Sequence, residues 1–425
     1  MLAGGLLLLV LLSVSSVQAG EWTVAPGVGT LQAAIDQASS GDTLVLKPGT
    51  YSGPVNVHRS LTLLGDGSSV VDGEGLQHVV TVTAPDVVIK GLIIRHSGDN
   101  LVNEDSAVFI TAEGDRTRIE SNHLENNQIG IYLKGPESAI ISNNVIVGGR
   151  HHRINDRGNG IYLWNTPGSV IKDNDIRYGR DGIFVTSSRN NVFSGNRMRD
   201  LRFAVHYMYT DDSEVSNNIS INNHVGYALM FSHRILTRNN RSIGDHERGL
   251  FFNFANYSVI EGNSVSGGTE KCVFIYNANF NRITKNLFED CQIGIHFTAG
   301  SEKNEIYLNA FINNRTQVKY VGTRYIEWSK DGYGNYWSDN LAFDLDGDGI
   351  ADQAYKPNDL VDQIIWRHPL AKLLLNSPAL QILKWAQSEF PGIHPGGVTD
   401  NAPLILPPQV HSADNTVPGA HVSDG

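Results

Sequence analysis

Apolar and polar residues alternate in short runs along most of this chain, and the runs recur at a fixed spacing. Asn followed two places later by a bulky apolar residue stands at Asn122, Asn144, Asn174, Asn196, Asn263, Asn286 and Asn309, in steps of 22, 30, 22, 67, 23 and 23 residues. Asn218 and Asn240 divide the long gap into 22, 22 and 23, with the apolar residue one place later at Ile221 and Ile243. A second column, Gly then apolar-any-apolar, runs through Gly130, Gly160, Gly182, Gly226, Gly249 and Gly294, with Ala204 and Cys272 substituting in register. Alternation with a period of two means strands, and so short a unit cannot hold the helix pair of a ~33-residue repeat. The pattern predicts an all-β fold, a right-handed parallel β-helix with coils of about 22–23 residues stacked ~4.8 Å apart, its Asn column forming a buried ladder.

The same pattern divides the chain. Residues 43–328 are expected to form the coils, with an eight-residue excess from Arg150 to Arg157 pushed out as a loop. An N-terminal cap over 20–42 contains a predicted helix from Thr30 to Ala38, placed to cover the open end of the stack. A C-terminal cap with an acidic loop occupies 329–369, and two amphipathic helices over 370–390 are broken at Ser377-Pro378. Leu380 and Trp385 lie in the apolar set of those helices, which reads as a docking arm. From 391 to 425 the composition predicts a flexible tail. Residues 1–19 read as a signal peptide, with hydrocarbon from Leu6 to Leu12 and a small-residue site at Val17-Gln18-Ala19, although no Lys or Arg precedes it. The expected destination is the periplasm.

In each Gly-apolar-any-apolar segment the third and fifth residues point outward. The third gives Tyr132, Tyr162, Phe184, His206, Ala228, Phe251, Phe274 and His296; the fifth gives Lys134, Trp164, Thr186, Met208, Met230, Asn253, Tyr276 and Thr298. So aromatic an exterior predicts a contact surface, with Tyr162, Trp164, Phe184, Phe251 and Phe274 as partner-binding residues. Met208 and Met230 fall on successive coils, flanked by His206 and His233, and thioether with imidazole suits Cu(I). A rival chemistry uses Asp211, Asp212 and His233 as the acid–base set of a carbohydrate-active β-helix enzyme, which requires carboxyl groups ~5 to 9.5 Å apart. Adjacent residues in a strand face opposite ways, and Thr210-Asp211-Asp212-Ser213 has the composition of a turn. Asp344, Asp346, Asp348 and Asp352 have the oxygen spacing of a structural Ca²⁺ loop, although Tyr355 stands where a bidentate Glu would complete it.

Composition narrows the field. With 33 basic and 44 acidic residues the net charge is −11, which argues against a nucleic-acid surface. Two cysteines exclude a disulfide scaffold and a four-cysteine zinc site. Cys272 and Cys291 are 19 residues apart, so a bond between them requires an intervening corner; bonded and free forms both remain open.

The coil pattern, the opening Gly41-Asp42-Thr43-Leu44-Val45-Leu46-Lys47-Pro48-Gly49-Thr50-Tyr51, and the closing Gly334-Asn335-Tyr336-Trp337-Ser338-Asp339 followed by the acidic loop resemble the NosD family over roughly residues 22 to 390. The opening motif is shared with many pectin-lyase-like β-helices; the closing one is narrower. The resemblance implies a non-enzymatic periplasmic accessory that works with an ABC transporter ATPase and membrane permease to assemble the copper centres of nitrous oxide reductase. A copper chaperone would be a further partner. It supplies no copper motif, so the metal residues above rest on the outward columns alone. A passive surface-binding module is the third class compatible with the fold.

Overall fold

The computed structural model describes residues 19–409, apart from 151–152, 299, 323, 358–359, 362–363, 365–367, 375–376 and 391–395. The signal-peptide expectation therefore lies outside the described residues, except for Ala19.

A typical coil runs through a six-residue strand, Asp181–Thr186, and two short ones, Val192–Ser194 and Arg197–Arg199. Each pairs in parallel with its counterpart one coil on. The first of these strands belongs to a sheet of twelve and the two short ones to a second sheet of twenty-four. Inward positions repeat in register: Ile183, Val205, Tyr227, Leu250, Val273 and Ile295 form one buried column.

The corner between the two short strands carries the Asn ladder. Asn174 donates its side-chain amide to the Asn196 Oδ1 at 2.9 Å and to the Ile141 carbonyl at 3.0 Å, while its backbone N–H reaches the same Oδ1 at 3.1 Å. Asn196 treats Asn218 and Ile171 the same way. The ladder continues to Asn309 and ends on Asn335. The residue before each amide takes a left-handed backbone, as at Asp173 (φ 56°), Gly195 (φ 68°) and Asn217 (φ 55°), which explains the Asn, Asp and Gly there.

Both ends are closed. Helix α1, Thr30–Gln37, buries Leu31 and Ile35 over the first coils. At the other end the expected flexible tail is corrected over its described part: Gly397–Thr399 pairs with Tyr325–Glu327, and Val398 is buried. Asp400 is buried too and accepts from the Asn335 N–H at 2.7 Å and the Trp337 indole at 2.9 Å. Its composition concealed this, because one carboxylate and one apolar side chain are enough to seal a stack.

Tyr355 and Asp400 exchange backbone hydrogen bonds of 2.8 and 2.9 Å, so the chain between them leaves and returns to one point on the cap. Within this excursion a 3₁₀ segment, Pro369–Leu374, precedes helix α2, Pro378–Glu389, whose Ser377 cap accepts from the Leu380 N–H. Leu370, Leu373, Ile382 and Trp385 are exposed, and Leu380 is half-buried. Cys272 and Cys291 form a disulfide across a corner, with Cα atoms 5.7 Å apart. Among the described residues no helix is long and apolar enough to cross a membrane.

Candidate functional site

On the outer face of the twelve-stranded sheet the strands Phe203–Met208 and Val225–Met230 align His206 with Ala228 and Met208 with Met230. The two thioethers thus stand side by side on successive coils, both half-buried. Ala228 interrupts a column of rings, and Phe203, Met230 and Phe274 pack against the cluster it forms with Val225 and Phe251.

His206 is 7% exposed, its ring lying 4.9 Å from that of Phe184 and 4.6 Å from that of Phe203. Its Nδ1 is 3.1 Å from Oδ2 of Asp181, a fully buried carboxylate whose two oxygens also accept from Arg202 at 2.8 and 2.7 Å. Burial pushes the Asp181 carboxyl up, but the hydrogen bonds from His206 and Arg202 outweigh it and hold the group below its ordinary value. An ionised carboxylate only accepts, so Nδ1 must be the donor. The His206 Nε2 is buried and has no hydrogen-bond partner. His206, Met208 and Met230 share the outer face of two successive coils, and imidazole with thioether is donor chemistry that fits a soft cation such as Cu(I).

His233 is not brought into this group by any hydrogen bond or ring contact. It lies in the turn that follows, its Nδ1 3.2 Å from Asp211 Oδ1, with its backbone N–H on the same oxygen at 2.7 Å. Asp212 is held by the Arg234 guanidinium, one bond of which is 2.9 Å, and that pairing lowers its carboxyl below the ordinary value. Both acids are half-exposed or exposed turn residues spent on neighbours. The turn signalled by Thr210-Asp211-Asp212-Ser213 thus commits Asp211 to His233 and Asp212 to Arg234 of the next coil.

The outer aromatic face is also corrected in part. Trp164 is 42% exposed, but Tyr162, Phe184 and Phe274 are half-buried and Phe251 is buried. In-register rings cover one another: Tyr132 to Tyr162 is 4.6 Å between centroids, Tyr162 to Phe184 5.1 Å and Phe251 to Phe274 5.3 Å. One residue past the methionine column lies a further row of rings, of which Tyr209 and Phe254 are exposed and Phe231 is half-buried. Tyr209, Phe231 and Phe254 stack at 5.1 and 5.2 Å on left-handed turn positions with φ of 50°, 51° and 52°. Counting beyond the strand into the turn would have found them in the sequence.

The acidic loop places one oxygen each of Asp344, Asp346 and Asp348 within 4.8 Å of one another, the only such cluster of ligating side chains among the described residues. Asp352 is turned to another task, accepting from the Leu345 N–H at 2.8 Å. A bond from the Asp348 N–H lowers the Asp346 carboxyl, but the charge of Asp348 and the neighbouring Asp344 raise it above its ordinary value.

The fold is a parallel β-helix that solved proteins share. The Dettilon tailspike protein superposes with a TM-score of 0.54 at 14% identity, covering 70% of this chain and 65% of that one. The A-module of an Azotobacter vinelandii mannuronan C-5 epimerase gives 0.51 at 16% identity over 69% of this chain and 91% of its own. At such identities the likeness is one of fold. Family and relatives are more specific: residues 142–342 match the model of NosD, described as a periplasmic copper-binding protein. The probable ABC transporter binding protein NosD of Stutzerimonas stutzeri is 39% identical over 377 residues, covering 85% of this chain and 86% of the relative. Its counterpart from Pseudomonas aeruginosa is 40% identical over 376 residues, covering 85% and 88%. The chain belongs to the NosD family, whose relatives here are named as transporter binding proteins and not as enzymes.

Proposed function

We propose that this protein is the periplasmic binding component of an ABC transporter and carries Cu(I) for assembly of the copper centres of nitrous oxide reductase. The observation that carries the reading is the in-register pair Met208 and Met230 on the outer face, two residues along the strand from an imidazole nitrogen that nothing in the fold satisfies. Thioethers and imidazole favour Cu(I) over hard ions, and a cargo site must release as well as bind. The half-buried methionines are unbranched and can move toward an incoming ion. His233 and the tail histidines His394, His411 and His421 are not needed for this site; the tail three lie outside the described residues. The acidic loop is the candidate for a structural Ca²⁺, held by Asp344, Asp346 and Asp348.

Docking is assigned to the excursion that contains Leu380 and Trp385, because its apolar side chains are exposed while its ends are pinned to the cap. The partners in this reading are the permease with its ATPase, then the reductase, with a copper chaperone as the source of the ion. Truncation after residue 369 would also remove Val398 and Asp400 from the cap, so the informative variant replaces 370–390 with a flexible linker. It is expected to stay folded and to lose co-purification with the permease. Retention of the permease by this variant would place docking elsewhere.

A further inference from the structure

Asp181 was singled out by neither repeat column, yet it is a fully buried carboxylate beneath the outer face. Its charge is already matched by Arg202, which grips both oxygens at 2.8 and 2.7 Å. The His206 contact is therefore an addition that neutrality does not require. A buried, paired carboxylate is costly to assemble, and an apolar residue would fill the same volume without that cost. What the arrangement does accomplish is orientation: Asp181 takes the proton-bearing Nδ1 of His206 at 3.1 Å, and Phe184 and Phe203 hold the ring on either side. In the neutral ring, with Nδ1–H committed to Asp181, the lone pair lies on Nε2, which is buried without a hydrogen-bond partner. Leaving such an acceptor unpaired is costly, and the aromatic residues its column holds at Tyr162 and Phe184 would not incur that cost.

We infer that Asp181, with Arg202 behind it, is the positioning residue of the copper site: it locks His206 in the Nδ1–H tautomer and presents Nε2 as a preformed ligand for a soft monovalent cation. This rests on the proposed carriage of Cu(I), and adds to it a residue that never touches the ion. The carboxylate–histidine arrangement fixes the tautomer and raises the basicity of the ligating nitrogen, effects whose removal typically weakens metal binding 10- to 100-fold. Ala228, beside His206 on the next coil, lies in an apolar cluster against which both Met230 and Phe203, the ring stacked on His206, are packed.

The test is ¹⁵N–¹H correlation of the histidine rings in the full-length protein, with His206 assigned from a His206→Gln variant, before and after anaerobic addition of Cu(I), alongside ¹³C-methyl spectra of the methionines. The expected result is a neutral Nδ1–H ring for His206 without metal, with its Nε2 resonance displaced on adding Cu(I). Asp181→Asn is expected to give a mixed tautomer and a 10- to 100-fold weaker Cu(I) affinity. An Nε2–H ring in the parent protein overturns the inference, even if the Asp181 variant fails to fold. So does an unmoved Nε2 resonance when Cu(I) displaces the Met208 and Met230 methyls, a result that leaves the thioether site standing. If neither imidazole nor methyls respond, the carriage of copper at this face falls as well.

Discussion

In one stretch of coil Asn196 and His206 are both buried, and they differ in what their polar atoms meet. Asn196 donates to the Asn218 Oδ1 and the Ile171 carbonyl, and accepts in turn from Asn174. His206 has one nitrogen bonded and the other facing nothing. The ladder is what a solenoid needs for its own integrity: every coil repeats the same corner, so every corner is satisfied by its neighbour. The outer face departs from the repeat at His206, Met208, Ala228 and Met230, and there the polar accounts stay open. Buried atoms without a partner occur elsewhere in the coils, Thr237 Oγ1 and His296 Nδ1 among them, so it is the company of Met208 and Met230 on the same face that marks His206 as a ligand.

The largest effect expected from breaking this contrast is on the ladder side. Asn196→Leu removes the acceptor of the Asn174 backbone N–H and of one of its side-chain N–H groups, together with one donor to the Ile171 carbonyl, and should destabilise the protein by about 3–5 kcal/mol. A denaturant midpoint equal to the parent's would show that the amides do not hold the corners.

Asp245 is an intermediate case, a buried carboxylate that the ladder logic satisfies only in part. It accepts from the Ser220 and Ser242 hydroxyls at 2.6 Å each and from the Asn223 N–H at 2.8 Å. Burial nevertheless pushes its carboxyl up to about 6. The sign follows from the unfolded chain, where the group ionises near its ordinary value of 3.8. As pH rises from about 4 to 6 the unfolded chain loses its proton first, so folding is disfavoured progressively and the full penalty stands above pH 6. Asp245→Asn should therefore raise stability at pH 7.5 by roughly 2–3 kcal/mol, with the gain vanishing near pH 4. Thermal melts of both proteins across that range check it; a gain that grows on acidification would contradict the assignment.

The repeat columns were legible in the sequence because a solenoid writes its register as a period, and the prediction that Met208 and Met230 would be neighbours followed from counting alone. The aromatic face was misjudged for a physical reason: alternation tells inside from outside, but stacked rings on adjacent coils bury one another without any covering layer. Asp181 escaped notice since it precedes the Gly column and belongs to no repeating pattern; only the fold brings its carboxylate to a histidine 25 residues on. The return of Val398 and Asp400 to the cap is a long-range pairing that a tail-like composition hides.

The smallest free-energy effect bears on the central claim. Met208→Leu with Met230→Leu nearly preserves volume and should change stability by less than about 1.5 kcal/mol. The decisive measurement is an anaerobic competition titration of Cu(I) against a chelator for the parent and this double variant. The account predicts one high-affinity ion per chain in the parent and an affinity at least about tenfold weaker in the variant, or ~1.4 kcal/mol. Equal affinity in the two proteins would contradict it and leave the outer face as a surface for protein contact alone.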